Sequence, residues 1–478
     1  MALWKPDPTF YPSPKLAMQA PPEKLAYVVA LEPNAYNDSG KGRPDVLMVV
    51  DTDPDSPSYG QQVGQVEMPN LGDELHHFGW NACSSALCPY APHPHIERRY
   101  LVVPGIRSSR IHIIDIKPDP RNPQIVKTIE PEEIFARTNY SRPHTIHCGP
   151  EGIYVSALGS PEGDGPGGIF LLDHFSFEVL GQWEMDRGPQ YLHYDFWWHL
   201  GYDTMVSSEW GTPKMVENGV QPDVLLNSGY GHHLHIWDLR KRRHVQSLDI
   251  GAEHQMALEL RAAHDPTKAY GFMGVVVSLK DLSGSIWLWH RDNSNGSGKN
   301  GNGGWSIQKV IEIPAEPAEP ENLPPILQGF KAVPPLITDI NLSLDDRWLY
   351  VSCWATGELR QYDVSDPFNP KLTGSVHLGG IVRQTPHPKN PNEPLSGGPQ
   401  MVEVSRDGKR IYFTNSLYYS WDEQFYHNGL KTWMVKVDAD PNGGMTLDEN
   451  FFLESADYRM HQIRLEGGDA SSDSYCYP

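Results

Sequence analysis

The sequence predicts an all-β chain folded as a seven-bladed β-propeller with long face loops. Three observations carry this reading: a four-strand unit that recurs along the chain, 43 Gly and 43 Pro residues that mark frequent turns, and histidines that return where the units open. A length of 478 residues would ordinarily be divided among several domains, but closed repeat folds gather such a length around one axis. Residues 1–478 are therefore expected to form one propeller domain.

The unit is clearest at 337–379, ITDINLSLDDRWLYVSCWATGELRQYDVSDPFNPKLTGSVHLG. The alternation in DINLSL, the turn LDDR, the strand WLYVSCW, the turn ATGE, the strand LRQYDV and the closing LTGSVHL read as four antiparallel strands. The same grammar returns at 399–453 and 144–184, and further units fall at about 24–68, 76–130, 193–250 and 254–313, with 454–478 as a closing segment. Two unrelated β domains are the competing arrangement. A ring is favoured because each four-stranded sheet must bury both faces against neighbours, and closure removes exposed edges.

Three stretches interrupt the units: RDNSNGSGKNGNGG at 291–304, a Pro/Glu-rich stretch at 314–335, and 381–398. Their composition cannot build a core, so they are expected as loops over a propeller face, where they could cover the channel.

Hydrophobic residues make up 39% of the chain, with 14 Trp and 22 Tyr, which is ample for globular cores. The formal charge of −21 argues against a nucleic-acid or anionic-membrane partner, and the short basic run Lys241–Arg243 reads as a solvated hairpin. No stretch reaches the ~20 apolar residues that span a bilayer, so a soluble protein is expected, with the cytoplasm as default and export open if a leader precedes this start. The sequence sets no oligomeric state. Five cysteines are too scattered for a disulfide framework, and no CxxC pair suggests zinc; Cys83 and Cys88 are spaced to bridge or share a metal only weakly.

The innermost strand of each blade lines the channel, so the openings of the units converge although they are far apart in sequence. The openings ELHH, HTIH and HQIR bring His76, His77, His144, His147 and His461 to comparable positions, with Asp339 and Gln400 there in units lacking histidine. Imidazole is a ligand that copper, zinc and iron share, and a histidine-rich set without a carboxylate-dominated shell argues against magnesium or calcium. The competing reading is that individual histidines are satisfied core residues. Because adjacent side chains on an extended strand point to opposite faces, only one of His76 and His77 is expected to reach a metal. His264, in the turn AAHDP, and His232, His233 and His235, in YGHHLHIWD, are expected to be structural or to orient a neighbour. GxSxG, P-loop, HExxH and helix-opening GxGxxG motifs are missing, and GDGPGG at 163–168 reads as a hairpin loop because the strand GIFLLD follows it.

Long strings, among them MPNLGDELHHFGWNACSS, HTIHC, SSEWGTP, YGHHLHIWD, PLITDINLSLDDRWLYVSCW, GGPQMVEVSRDGKRIYFTNSLYYSWDEQFY and HQIRLEGGDASSD, resemble the selenium-binding protein / methanethiol oxidase family from about Leu25 to Asp473. The resemblance implies a seven-bladed propeller and a copper-dependent oxidoreductase that converts methanethiol, O2 and water to formaldehyde, hydrogen sulfide and hydrogen peroxide. The histidines matching the family pattern are His76, His77, His144, His147, His233, His264 and His461. Gly60 stands where animal members carry a cysteine associated with selenium, which counts against selenium binding through that thiol; the cysteine of NACSS is retained as Cys83. On this reading copper would bind the substrate as a thiolate, and Asp339 or Glu74 is the candidate to take a proton from its methyl group, or else to orient an imidazole. A non-catalytic metal- or selenium-binding scaffold and an oxidase of another small thiol are the alternatives.

Overall fold

The computed structural model describes residues 6–37, 40–87, 91–291 and 304–478. Seven four-stranded antiparallel sheets follow one another around a ring. The expected unit at 24–68 supplies only three strands of its blade, Leu25–Leu31, Val46–Asp51 and Gln62–Glu67. The fourth and innermost comes from the closing segment: Arg459–Leu465 pairs antiparallel with Leu25–Leu31, setting Ala26 opposite Leu465 and Ala30 opposite Met460. The last strand thereby closes the ring on the first.

The remaining blades begin at Gly79–Trp80, Ser141–Gly149, Phe196–His199, His254–Ala262, Ile337–Leu342 and Val402–Val404, each an innermost strand. Burial follows position in the sheet. The inner strand Ile337–Leu342 is buried throughout, whereas the outer strands Lys371–His377 and Gln62–Glu67 are largely solvent-facing. Alternation along a strand sends successive side chains into different cores. In the first blade Tyr27 and Val29 pack with Trp80 and Leu101 of the second, while Ala26, Val28 and Ala30 pack with Tyr412 and Met434 of the seventh. Seven such inter-blade cores complete the ring.

An eighth apolar cluster caps one mouth of the channel. Leu323, Leu327 and Val333 from the stretch 314–335 and Ile381 from 381–398 join it, so those two loops do cover the channel. The cap also draws on segments read only as parts of units: Trp210, Val216 and Tyr230 between strands of the fourth blade, and Leu417, Tyr418, Trp421 and Phe425 in and before the helix Tyr419–Phe425. Most of the loop 291–304, and Cys88, lie outside the described residues. No described helix is long and apolar enough to cross a membrane.

Gly60 adopts φ +71°, and a Cβ built there would stand 3.0 Å from the Asn450 carbonyl oxygen. A cysteine in this position would be strained and crowded, a physical reason for the glycine.

Candidate metal centre

Four of the seven inner segments carry a residue with left-handed φ two positions ahead of a channel residue: Glu74 before His76, Arg142 before His144, Met256 before Leu258, and Leu336 before Thr338. A second regularity fixes the same register. The Gln462 Oε1, Asp195 Oδ2 and Asp339 Oδ2 atoms accept the backbone N–H of Phe78, Leu260 and Val402 on the next blade, at 2.5, 2.8 and 2.7 Å. Together these repeats align His76, His144, Tyr194, Leu258, Thr338, Gln400 and His461 in one layer. The next layer holds His77, Thr145, Asp195, Glu259, Asp339, Met401 and Gln462. Asp339 is therefore level with His77, and Thr338 takes the place in the histidine layer that the sequence assigned to Asp339.

His76, His77, His144 and His461 converge. The His76 and His461 rings stack with centroids 3.8 Å apart, and His77 lies 4.1 Å from His144. Donor atoms of His76, His77 and His144 all lie within 4.8 Å of one another. The expectation that adjacent His76 and His77 would face opposite ways is not met: their rings stack at 5.0 Å and both enter the cluster. The reason is local. Residues 76–78 have irregular backbone just after the left-handed Glu74, so the two-residue alternation of a pleated strand does not apply.

The donor set fits a metal. His461 Nδ1 lies 2.8 Å from the Ser416 carbonyl oxygen, which can only accept, so Nδ1 carries the proton and Nε2 keeps its lone pair. His144 Nδ1 is engaged by the Thr145 hydroxyl at 3.0 Å. The Nε2 atoms of His77, His144 and His461 are buried without any hydrogen-bond partner, which is costly unless a ligand meets them. Burial, and after it the neighbouring rings, hold the His76, His77 and His144 imidazoles well below their ordinary pKa; burial brings His461 down to about 4. At neutral pH the rings are uncharged, the form that binds transition metals.

His147 is not part of this cluster. It follows His144 by three residues, about 10 Å along an extended strand, and its ring lies 4.1 Å from Trp197 and 5.3 Å from Phe196. At its level Arg464 Nη1 donates to Glu403 Oε2 at 2.6 Å and Asn341 Nδ2 to Glu403 Oε1 at 3.1 Å, a polar plug beneath the histidines.

Both carboxylates singled out from the sequence have their oxygens committed. Asp339 accepts from Arg261 Nη2 at 3.1 Å as well as from Val402, and burial pushes its carboxyl up to about 7 against the pull of Arg261. Glu74 accepts from Arg107 Nε at 2.8 Å and from the backbone N–H of Tyr419 at 2.7 Å, anchoring the cap helix; burial raises its pKa. The carboxylate nearest the histidines is Glu259, whose Oε1 is 3.8 Å from His77 Nε2 and accepts the Tyr194 hydroxyl at 2.8 Å. Burial, then Asp195 and Asp339, raise its pKa well above the usual range. The inner strand His254–Ala262 carries Leu258, not histidine, at the position of His76 and His144, so no histidine repeat in the sequence pointed to Glu259 beside it.

Against the rings lies a narrow, mainly apolar cavity between channel and cap, lined by His76, Tyr194, Trp210, Met256, Leu258, Val276, Leu336, Thr338, Leu417 and Trp421. Gln400 lies in the histidine layer with a buried, unpartnered Oε1. The other residues singled out lie elsewhere. Cys83 donates to the Cys148 carbonyl oxygen at 2.9 Å in a buried nook, His264 bridges Asp346 and the Ala470 carbonyl oxygen, and His233 pairs with Glu209 at 3.1 Å.

The chain has full-length relatives among known proteins. A methanethiol oxidase of Xenopus laevis and one of Homo sapiens are each 40% identical to this chain, over 97% of it and 97% of theirs. The X-ray structure of a hypothetical selenium-binding protein from Sulfolobus tokodaii superposes with a TM-score of 0.93 at 59% identity, covering 99% of this chain and 100% of that one. The model of the 56 kDa selenium-binding protein family matches residues 4–476, and this chain belongs to that family.

Proposed function

We propose that the chain is a methanethiol oxidase, an oxidoreductase that takes methanethiol, O2 and water to formaldehyde, hydrogen sulfide and hydrogen peroxide, with copper held by His76, His77, His144 and His461. The observation that carries the reading is the convergence of four buried imidazoles, three of them with unpartnered Nε2 atoms, beside an apolar cavity. Full-length relatives that bear the methanethiol oxidase name support the substrate. Copper, when bound, supplies one-electron redox chemistry and a soft site for a thiolate.

The chain's own residues do the rest. The carbonyl oxygen of Ser416 and the hydroxyl of Thr145 orient His461 and His144. Met256, Leu258, Trp210 and Trp421 line a space that suits one small apolar group, such as a thiol's methyl, and keeps bulk water away. The Tyr194 hydroxyl and Glu259 form a proton-holding pair against His77. Asp339 and Glu74, the sequence candidates for the proton acceptor, act instead as positioning residues, one through Arg261 and Val402 and the other through Arg107 and Tyr419.

The test is purification after copper supplementation, measurement of metal content, and assay of methanethiol loss with hydrogen peroxide release, for the parent and for His144→Ala. Stoichiometric copper with turnover that collapses in the variant is expected. A folded parent that takes up no copper and leaves methanethiol untouched would overturn the reading.

A further inference from the structure

Outside the channel, His232, His233 and Asp249 bring three donor atoms within 4.8 Å of one another on the outer strands of the fourth blade. His233 and Asp249 are directly paired across the strands His233–Asp238 and Arg243–Asp249, so two of the three donors stand on rigid backbone. His232 Nε2 is 3.9 Å from Asp249 Oδ1 and His233 Nε2 is 4.0 Å from Asp249 Oδ2, with the two rings 4.4 Å apart.

The far side of each imidazole is already engaged. His233 Nδ1 lies 3.1 Å from Glu209 Oε2, and His232 Nδ1 lies 3.3 Å from the Tyr230 carbonyl oxygen. An Nδ1–H given to an acceptor fixes the tautomer and leaves Nε2 as a lone-pair donor, the arrangement found behind metal-bound histidines. Glu209 is itself held, since its Oε1 lies 2.9 Å from His235 Nε2. A simple ion pair of histidine with Asp249 would need neither the Glu209 nor the Tyr230 contact.

We propose that His232, His233 and Asp249 form a binding site for a divalent transition metal of the zinc class, separate from the channel centre, with Glu209 as the carboxylate that orients His233. A tetrahedral zinc with ligands at about 2.0–2.1 Å holds its donors about 3.4 Å apart, so three donors within 4.8 Å of one another have to close by at most about 1.4 Å, within the reach of side-chain rotation. The side chains of His232, His233 and Asp249 are 21%, 31% and 61% exposed, which leaves a coordination position for water or another ligand. The bound metal ties the outer strands of the fourth blade to Glu209, whose neighbour Trp210 lines the cavity.

The experiment titrates Zn2+ into the purified full chain against a chromophoric chelator, for the parent and for Asp249→Asn, His232→Gln, Glu209→Gln and His144→Ala. One equivalent of Zn2+ is expected to disappear in Asp249→Asn and His232→Gln and to persist in His144→Ala. Glu209→Gln should keep the equivalent with affinity lowered about 10-fold or more. Asp249 is largely exposed, so Asp249→Asn folds like the parent, and a matching circular dichroism spectrum verifies this. A parent without the equivalent, or Asp249→Asn and His232→Gln proteins that bind as the parent does, would overturn the proposal. Loss in His144→Ala alone would assign the zinc to the channel and overturn it equally, whereas absent methanethiol turnover bears only on the channel.

Discussion

The imidazole of His461 is aimed by the backbone of Ser416: Nδ1 donates to the carbonyl oxygen at 2.8 Å, and the ring stacks on His76. Ser416 is in turn pinned by Asp422, which accepts its hydroxyl at 2.6 Å and the Leu417 N–H at 2.9 Å. Asp422→Asn should loosen that loop and lower copper affinity about 10-fold, read by competition with a Cu-selective chelator. Unchanged affinity would show that the carbonyl does not depend on Asp422.

Tyr194→Phe removes the hydroxyl bonded to Glu259 and leaves the ring against His144 in place. Turnover is expected to fall by about 100-fold with copper content retained, the mark of a lost proton path. Steady-state assays beside metal analysis separate this from loss of the metal.

Leu417→Ala enlarges the cavity at the cap. The ratio of kcat/KM for ethanethiol to that for methanethiol should rise roughly 10-fold, the scale of one methylene in an apolar pocket. A thiol series measures it directly.

Asp339 shares Arg261 with Glu259 and Asp195, so three buried carboxyls face one guanidinium. Burial raises the Asp339 pKa from 3.8 to about 7. The folded chain therefore keeps a proton that the unfolded chain releases, and this contribution to stability is full below about pH 4 and is lost as pH rises toward 7. Asp339→Asn keeps the acceptor for Val402 but cannot titrate. Its stability should decline less than the parent's between pH 4 and 7, by roughly 1–4 kcal/mol in denaturant unfolding.

Asp473 binds Arg98 and, at 2.6 Å, Arg406, and it accepts the Ser84 N–H at 2.9 Å, tying the C-terminal segment beneath the ring. Asp473→Asn leaves two buried guanidiniums short of their counter-charge and should cost about 3–5 kcal/mol. A guanidinium chloride titration tests it.

Much of this was legible in the sequence because a propeller repeats its grammar. The alternation in DINLSL and WLYVSCW gave strands, and the openings ELHH, HTIH and HQIR pointed to His76, His77, His144 and His461. What failed was register. In the four inner segments that carry a left-handed residue two positions ahead of the channel residue, it falls on Glu74, Arg142, Met256 and Leu336, none of them glycine, so no residue type announced the kink. Without it His147 looked equivalent to His144, Asp339 to the histidines, and His76 and His77 looked opposed. The cap was hidden for another reason: Trp210 sits in a loop and Trp421 in the short helix Tyr419–Phe425, segments whose apolar content resembles that of strands, and only tertiary packing shows that they close the mouth.

The strand Arg459–Leu465 brings His461 to a site whose other imidazoles come from the first third of the chain. During synthesis the first three histidines emerge long before the fourth. A nascent or prematurely terminated chain thus holds an incomplete set of histidines in an open ring, and the four-imidazole cluster exists only once the last strand has closed the ring on the first. Assembly of the four-histidine cluster is in this way contingent on a finished polypeptide.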